Sequence, residues 1–236
     1  MIDTLLTVPL VDSKLFDSPE PRRVFDIERM AYLIAAHESA QFFNKHMRLA
    51  KNLITPSALL EFALLQRDLE GLTLEFGVAT GATLRVISQA TMGRVYGFDS
   101  FEGLPEDWTH FQKTGRFSSD GIPPDGIPAN AEIFVGYFNE TLPEFIASKP
   151  GVASFIHIDC DLYSSTKFVL EQLSSRLVAG TVIVFDEYLN YPGWHQHEHK
   201  AFSEYIATSD LEPEYLGFSS SGQSVAVRLA KRQNKG

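Results

Sequence analysis

The sequence predicts a doubly wound α/β fold with a mostly parallel, seven-stranded sheet. Three observations support this prediction. Short β-rich runs alternate with segments of helical periodicity, which is typical of βαβ units. Four of the first five predicted strands end in acidic residues, as strands that line a ligand crevice often do. The last two strands flank a Ser- and Gly-rich turn at 219–222, which predicts an antiparallel hairpin.

Residues 1–70 are predicted to form an N-terminal extension. Prolines at three positions within 1–21 indicate an extended arm, and apolar periodicity predicts a helix over 24–51. A second helix is predicted over 55–70, with Thr55 as its N-cap and Pro56 in its first turn. This extension is expected to act as a lid or as a homodimer interface, and the sequence leaves both open.

Residues 71–236 are predicted to form the ligand-binding domain. A polar stretch over 108–130, rich in glycine and proline, separates two of its strands and is expected to be functional or mobile. The predicted strands are 72–76, 94–99, 131–135, 152–158, 181–185, 214–218 and 224–229, and the predicted helices are 82–90, 139–147, 164–178 and 196–207.

The composition is that of an ordinary globular protein. The 236 residues are 44% hydrophobic and 21% charged, and a net charge of −10 argues against nucleic acid or an anionic membrane as the main partner. No signal peptide and no apolar run long enough to span a bilayer are visible, so a cytoplasmic protein is predicted. The single cysteine, Cys160, excludes an internal disulfide and is expected to be a small buried side chain.

A nucleotide-type pocket is predicted around the first strand. Gly77 permits a tight turn close to a ligand, and Asp99 follows 22 residues later, where a carboxylate can bind ribose hydroxyls. A dinucleotide fingerprint would need glycine where Ala79 stands, and Glu75 would repel a phosphate. A cationic adenosyl ligand, S-adenosylmethionine (SAM), fits better. The alternative is a βαβ unit without a cofactor.

Six carboxylates follow the predicted strands and are expected to converge on one crevice. Such crowding of like charges requires a cation, which SAM supplies in part and a divalent ion such as Mg²⁺ would complete. Taken singly, each acid is equally compatible with an ordinary solvated turn. The six are Glu75, Asp99, Asp159, Asp161, Asp186 and Glu187.

Three histidines lie in the segment after the fifth strand. His195 and His199 would share a helix face, as zinc ligands can, but no ligand pattern surrounds them. A solvated helix start is the favoured interpretation. One of them, His195 in the first place, is retained as a candidate for the substrate pocket.

Four stretches together resemble a known family. They are EFG at 75–77, DSFEGLP at 99–105, GYFNETLP at 136–143 and DCDLYSST at 159–166. In order and spacing they resemble the class I SAM-dependent O-methyltransferases of the macrocin, mycinamicin and novobiocin sugar-modifying type, over roughly residues 72–190. The resemblance implies a Rossmann-like methyltransferase fold and methyl transfer from SAM to a hydroxyl of a small natural-product or sugar-containing acceptor.

The resemblance also implies roles for individual residues. Mg²⁺ would be held by Asp159, Asp186 and Glu187, and Asp161 would be the general base. Glu187 departs from the family, whose metal-binding members usually have aspartate there, so a metal-free enzyme using Asp161 or a histidine such as His195 stays open. The predicted cofactor-binding residues are Glu75, Phe76, Gly77, Gly81, Asp99, Ser100, Phe101, Gly136, Tyr137, Phe138 and Asp159.

Two other functions remain to be weighed. An NAD-type oxidoreductase on the same fold is disfavoured by Ala79 and Glu75. A degenerate SAM-binding protein without turnover is disfavoured by the intact set of Asp159, Asp161 and Asp186, and activity is the test that separates it from an enzyme.

Overall fold

A computed structural model describes residues 26–109 and 112–233 of the chain. The arm predicted over 1–21 and the end of the C-terminal tail lie outside the described residues. The strands are β1 (Lys51–Asn52), β2 (Leu72–Phe76), β3 (Val95–Asp99), β4 (Ala131–Val135), β5 (Ala153–Ile158), β6 (Val182–Phe185), β7 (Leu211–Phe218) and β8 (Val225–Lys231). The α-helices are α1 (Ile27–Phe42), α2 (Pro56–Leu65), α3 (Ala82–Gln89), α4 (Phe138–Ser148), α5 (Tyr163–Gln172) and α6 (Glu198–Thr208).

The sheet has the strand order β1-β7-β8-β6-β5-β2-β3-β4. The pairs from β6 through β5, β2 and β3 to β4 are parallel, whereas β8 is antiparallel to both of its neighbours. Strand order reverses between β2 and β5, since the chain leaves β2 towards β3 and leaves β5 towards β6. In an open α/β sheet such a switch point opens a crevice at the carboxyl ends of the strands. The predicted α/β fold and terminal hairpin are confirmed.

The sheet contains one strand more than predicted. β1 is only two residues long and pairs in parallel with Gly217 and Phe218 of β7. Both of its residues are exposed, so no alternation of apolar and polar residues marks it in the sequence. These two residues form a strand because their backbone pairs with that of β7.

The two N-terminal helices are shorter than predicted. α1 ends at Phe42 and continues as one π-helical turn, Phe43–Met47, so the predicted helix over 24–51 stops before β1. α2 ends at Leu65 rather than at residue 70, and Nε of Arg67 donates to the carbonyl of Leu64 in its last turn at 3.0 Å. The predicted N-cap is confirmed: the Ala58 amide donates to Thr55 Oγ1 at 3.2 Å.

Stacked aromatic rings fill the core beside the crevice. The strand register places Phe76, Phe98 and Phe134 side by side on β2, β3 and β4. Their rings are stacked with centroid distances of 4.9 and 5.1 Å, and Phe145 of α4 meets Phe98 edge-on at 5.1 Å. Offset-stacked and edge-to-face rings stabilise a core beyond the area that they bury. This layer fixes the strand ends from which the site residues project.

α1 packs through its C-terminal half. The Phe42 ring lies 5.7 Å from that of Trp194, and Ser39 Oγ accepts a hydrogen bond from the Asn190 amide at 2.8 Å. Its outer face exposes Ile27, Met30 and other apolar side chains. The predicted homodimer through this helix stays a prediction. Within the described ranges, none of the helices has both the length and the apolar character that crossing a bilayer requires.

Candidate active site

A cavity of about 900 Å³ opens at the carboxyl ends of β2, β3, β5 and β6. Its volume is at the upper end of the range for small-molecule sites, so it has room for more than one small ligand. It is lined by Gly77, Ala79, Asp99, Ser100, Gly103, Leu104, Pro105, Trp108, Gln112, Arg116, Phe117, Tyr137, Phe138, Asn139, Asp159, Cys160, Asp161, Ser164, Ser165, Phe168 and Glu187.

Gly77 lies where the turn after β2 contacts the end of β5. Its φ angle is +92°, and a Cβ atom added to it would overlap the carbonyl oxygen of Asp159 at the end of β5. The Asp159 amide in turn donates to the carbonyl of Phe76 at 2.9 Å. The glycine therefore allows the turn after β2 to lie directly against the residue that begins the acidic cluster.

Asp99 organises the turn after β2. Its Oδ2 accepts hydrogen bonds from the amides of Val78 (2.8 Å) and Ala79 (2.7 Å), and its Oδ1 accepts one from the Phe101 amide (2.7 Å). Bonds from amides to a carboxylate are stronger than bonds between neutral groups. Oδ1 retains a second lone pair, so Asp99 is able to accept a ligand hydroxyl while it holds the turn.

Three carboxylates meet at the carboxyl ends of β5 and β6. One oxygen from each of Asp159, Asp161 and Glu187 lies within 4.8 Å of the others. Asp161 has a φ angle of +61°, a left-handed conformation that is uncommon outside glycine and costs energy. The chain therefore turns sharply after β5, and this turn places Asp161 beside Glu187.

Burial changes the protonation of these carboxylates. Burial raises the pKa of Asp159 to about 8, and the nearby charge of Asp186 adds to the effect. Burial also raises the pKa of Asp161, to about 6; a hydrogen bond with the Glu187 carboxyl group opposes the rise and the Asp186 charge adds to it. The pKa of Glu187 is raised well above its usual value, first by burial and then by Asp186. Without a cation, the cluster is stabilised by protons.

The chemistry of this cluster fits a divalent cation. Carboxylate oxygens are the ligands that Mg²⁺ prefers, and buried carboxylates need a compensating charge. Glu187 Oε2 is buried and lacks a hydrogen-bond partner among the described residues. An orphaned carboxylate oxygen beside two others is the arrangement that such an ion would complete.

Asp186 departs from the predicted ligand set. Its Oδ1 accepts a hydrogen bond from Ser224 Oγ of β8 at 2.9 Å, and the residue does not line the cavity. The observed cluster contains Asp161 in its place. The reason is geometric: alternate residues after β6 point to opposite sides, so Glu187 faces the cavity while Asp186 faces the neighbouring strand.

Glu75 also differs from its prediction. Its side chain is fully buried, and its Oε1 lies 3.0 Å from Nδ1 of His157, its partner in the pairing of β2 with β5. Burial lowers the pKa of His157, but the hydrogen bond and the charge of Glu75 outweigh it and raise the pKa to about 9. Glu75 therefore forms an ion pair inside the sheet and does not line the cavity.

The remaining predicted cofactor residues divide into two groups. Ser100, Tyr137 and Phe138 line the cavity as predicted. Others do not: Phe76 and Phe101 are buried in the core, and the backbone rather than the side chain of Phe101 supports the site, through Asp99. The glycines Gly81 and Gly136 also lie outside the lining, each in a turn with positive φ.

His195 lies outside the cavity wall. Its side chain is about half exposed, with Nδ1 3.9 Å from Oε2 of Glu38 on α1, and it is not part of the cavity wall. His199 lies among aromatic rings, 4.7 Å from Trp194 and 5.0 Å from Tyr188. The candidate role of His195 in the substrate pocket stays a prediction, which this cavity wall does not support.

Several lining residues were missed by sequence reasoning. Trp108, Arg116 and Phe117 come from the long loop between β3 and β4, and Phe168 comes from α5. Only the length of the loop signalled its role. Backbone pairs close the loop on itself, with the Leu104 amide donating to the Arg116 carbonyl at 2.9 Å.

Comparison with known proteins agrees with this geometry. A family model described as a methyltransferase domain matches residues 74–188. A curated relative from Streptomyces olivaceus, an 8-demethyl-8-(2,3-dimethoxy-alpha-L-rhamnosyl)-tetracenomycin-C 4'-O-methyltransferase, is 31% identical over 138 residues, which are 49% of this chain and 52% of the relative. The chain thus spans about half the length of that relative.

Two solved structures share the fold. The calicheamicin methyltransferase CalS11 superposes with a TM-score of 0.59 at 22% identity, over 92% of this chain and 88% of its own. The O-methyltransferase NovP superposes with a TM-score of 0.56 at 22% identity, over 73% of this chain and 78% of its own. The shared fold agrees with the match of residues 74–188 to a methyltransferase domain. The chain is thus similar to a methyltransferase domain over residues 74–188 and shares the fold of two methyltransferases.

Proposed function

We propose that the protein transfers a methyl group from SAM to a hydroxyl group of a sugar-containing natural product, with the help of Mg²⁺. The observation that carries the proposal is the single cavity that joins Gly77 and Asp99 to the cluster of Asp159, Asp161 and Glu187. A cofactor end and a proton-accepting end within one cavity are what methyl transfer to oxygen requires. The tetracenomycin relative, whose name specifies a rhamnosyl 4'-O-methyltransferase, supports a sugar acceptor.

The cofactor half comprises the turns after β2, β3 and β4. Asp99 and Ser100 would receive the ribose, and the rings of Tyr137 and Phe138 would contact the adenine. Glu75 and Phe76 support this half from within the sheet. The acidic half of the cavity would bind the metal. Asp159 and Glu187 would hold the ion, and Asp186 would add negative charge from outside the cavity wall.

Asp161 is assigned as the general base. When bound, SAM would supply an activated methyl group for the acceptor oxygen, and Mg²⁺ would lower the pKa of the hydroxyl. A carboxylate oxygen of Asp161 takes the hydroxyl proton. A base is most effective when its pKa is near the working pH, and burial raises the pKa of Asp161 in that direction.

The acceptor is assigned to the wall formed by the long loop and α5. Trp108, Phe117 and Phe168 provide apolar and aromatic surface there, and Arg116 is the basic residue among the lining residues described. Aromatic faces suit the C–H surface of a sugar ring and of an aromatic aglycone. They also exclude water, which would otherwise compete for the acceptor position.

A binding experiment tests the cofactor half. Calorimetric titration with SAM, with NAD as the control ligand, is done with and without Mg²⁺. Saturable SAM binding without NAD binding is expected. Binding of NAD but not SAM would overturn the proposal in favour of the oxidoreductase alternative.

A turnover experiment tests the catalytic half. S-adenosylhomocysteine formation is measured by mass spectrometry with a rhamnosylated aromatic polyketide, in the wild-type protein and in Asp161→Asn. We expect Asp161→Asn to bind SAM normally and to lose about 10²–10⁴-fold in kcat, the usual share of a general base. SAM binding without turnover over a panel of glycosylated acceptors would favour the degenerate binding protein. Equal kcat in both proteins would remove Asp161 from the mechanism.

We also propose that residues 26–70 belong to the catalytic unit as a buttress, since Phe42 and Ser39 contact the segment that follows β6. Truncation before residue 51 is expected to weaken SAM-dependent turnover as well as stability.

Analytical ultracentrifugation of Ile27→Glu against the wild type tests the proposed homodimer through α1. A dimer that persists unchanged in the variant would exclude α1 as its interface.

A further inference from the structure

Glu198 is a buried carboxylate that the mechanism above does not use. It is the first residue of α6, its side chain is fully buried, and its Oε2 accepts a hydrogen bond from the Glu187 amide at 3.1 Å. The positive end of the helix dipole favours an acid at this position. Its other oxygen, Oε1, is buried and has no hydrogen-bond partner among the described residues. Burying such a group is costly, so a role beyond packing is indicated.

The turn after β6 shows what Glu198 holds. On either side of Glu187, backbone carbonyls bind the amides: Asp186 donates to Ile158 at 2.9 Å and Tyr188 donates to Gln223 at 3.1 Å. Glu187 itself is held by side chains. Its amide donates to Glu198, and its carbonyl accepts from the Tyr191 hydroxyl at 3.2 Å. Both polar groups of its backbone are thus clamped from outside the sheet.

We propose that Glu198 is a positioning residue for the divalent-cation site and that its hydrogen bond to the Glu187 amide sets where the Glu187 carboxylate lies. The inference rests on the proposed Mg²⁺ site. Tyr191 completes the clamp from the carbonyl side.

The clamp answers a specific problem of this sequence. Glu187 has one more rotatable bond than an aspartate, and each freely rotating bond must be ordered when the side chain binds an ion. Mg²⁺ accepts little distortion of its octahedron. Fixing the backbone of Glu187 on both sides reduces the conformations open to its carboxylate. Groups that orient a metal ligand in this way typically change affinity 10- to 100-fold when removed.

Two substitutions separate positioning from charge. Glu198→Ala removes the acceptor of the Glu187 amide, whereas Glu198→Gln retains an acceptor oxygen and removes the ionisable carboxyl group. The probe is Mn²⁺, titrated into the SAM-free protein and followed by the loss of free-ion signal in electron paramagnetic resonance. SAM affinity measured on the same samples serves as the control for an intact cofactor half.

We expect Glu198→Ala to bind Mn²⁺ about 10- to 100-fold more weakly than the wild type, and Glu198→Gln to stay within about threefold of it because its hydrogen bond is retained. SAM affinity should be unchanged in both. Mn²⁺ binding by Glu198→Ala equal to wild type overturns the inference. Equal losses in both variants also overturn it, because charge rather than positioning would then matter.

Failure of the underlying proposal is distinguishable from failure of the inference. If the wild-type protein shows no saturable Mn²⁺ binding, the metal proposal is overturned and the role of Glu198 with it. If Glu198→Ala does not fold, Tyr191→Phe tests the other half of the clamp, with about tenfold weaker Mn²⁺ binding expected. Unchanged binding in Tyr191→Phe would then overturn the inference.

Discussion

The contact between the turn after β2 and the end of β5 makes Gly77 the most sensitive position of the site. Gly77→Ala places a methyl group against the Asp159 carbonyl, at a residue whose φ angle of +92° disfavours any side chain. Rotating a side chain relieves neither the overlap with the Asp159 carbonyl nor the unfavourable φ angle, because both are properties of the backbone. The two strand ends must move apart, so the cofactor half and the acidic cluster are disturbed together.

The expected loss of stability follows from these two causes. Holding a non-glycine residue in a sparsely populated conformation costs about 1–3 kcal/mol, and forcing atoms into a filled space costs about 1–3 kcal/mol more. A total of about 2–6 kcal/mol is therefore expected. For a chain of this size each kcal/mol lowers Tm by about 2–4 °C, so the shift should be about 4–24 °C.

Urea unfolding followed by circular dichroism measures this loss, and SAM titration measures the accompanying loss of affinity. Gly93→Ala is the matched control, because Gly93 has no positive φ and a Cβ atom added there meets no atom within 4 Å. It should leave both stability and SAM binding close to those of the wild type. A Gly77→Ala protein within about 1 kcal/mol of wild type, an effect ordinary for point mutants, would refute the close-approach argument.

Three further predictions follow. Asp99→Asn should lose about 1.5–3 kcal/mol in urea unfolding, since one carboxylate oxygen no longer accepts backbone amides; unchanged stability and SAM affinity would exclude this role. Burial, then the charges of His195 and His46, lowers the pKa of His199 to about 4. As the pH falls, the unfolded chain therefore takes up this proton before the folded protein does, so up to about 3 kcal/mol of stability, fully present above pH 6.5, is lost between pH 6.5 and 4. In His199→Gln, the free energy of unfolding measured across that pH range should fall less steeply than in the wild type. An equally steep fall would contradict the prediction. Thr55→Ala should cost about 1 kcal/mol in urea unfolding by removing the α2 cap, and a loss below about 0.3 kcal/mol would contradict it.

The parts of the fold that periodicity encodes were predictable from the sequence. The strands that meet at the crevice are short apolar runs, and the acids that follow them mark where each strand ends. Gly77 and Asp99 were predicted as site residues, and both line the cavity. The role of Asp99 in shaping the turn after β2 was not foreseen, because it depends on hydrogen bonds that only the folded backbone provides.

Cross-strand register accounts for the main errors. Glu75 reads as a cavity residue until β5 is laid beside β2, which brings His157 to within hydrogen-bond distance. The sequence separation of 82 residues gives no local signal of this pair. Glu198 was overlooked although Ala201, Phe202 and Tyr205 follow it at helical spacing, a pattern that predicts a buried helix face.

The carboxylates of the site differ in whether the protein itself neutralises them or whether they need a bound proton or cation. Glu75 is balanced by His157, and Asp99 by three amides. The cluster of Asp159, Asp161 and Glu187 has no ion pair to a cationic side chain within the described residues. The basic residue of the described cavity wall, Arg116, is exposed and belongs to the long loop. Buried carboxylates left in this state hold either protons or a bound cation. In the proposed reaction, the sulfonium of SAM and a divalent ion beside it would provide this positive charge.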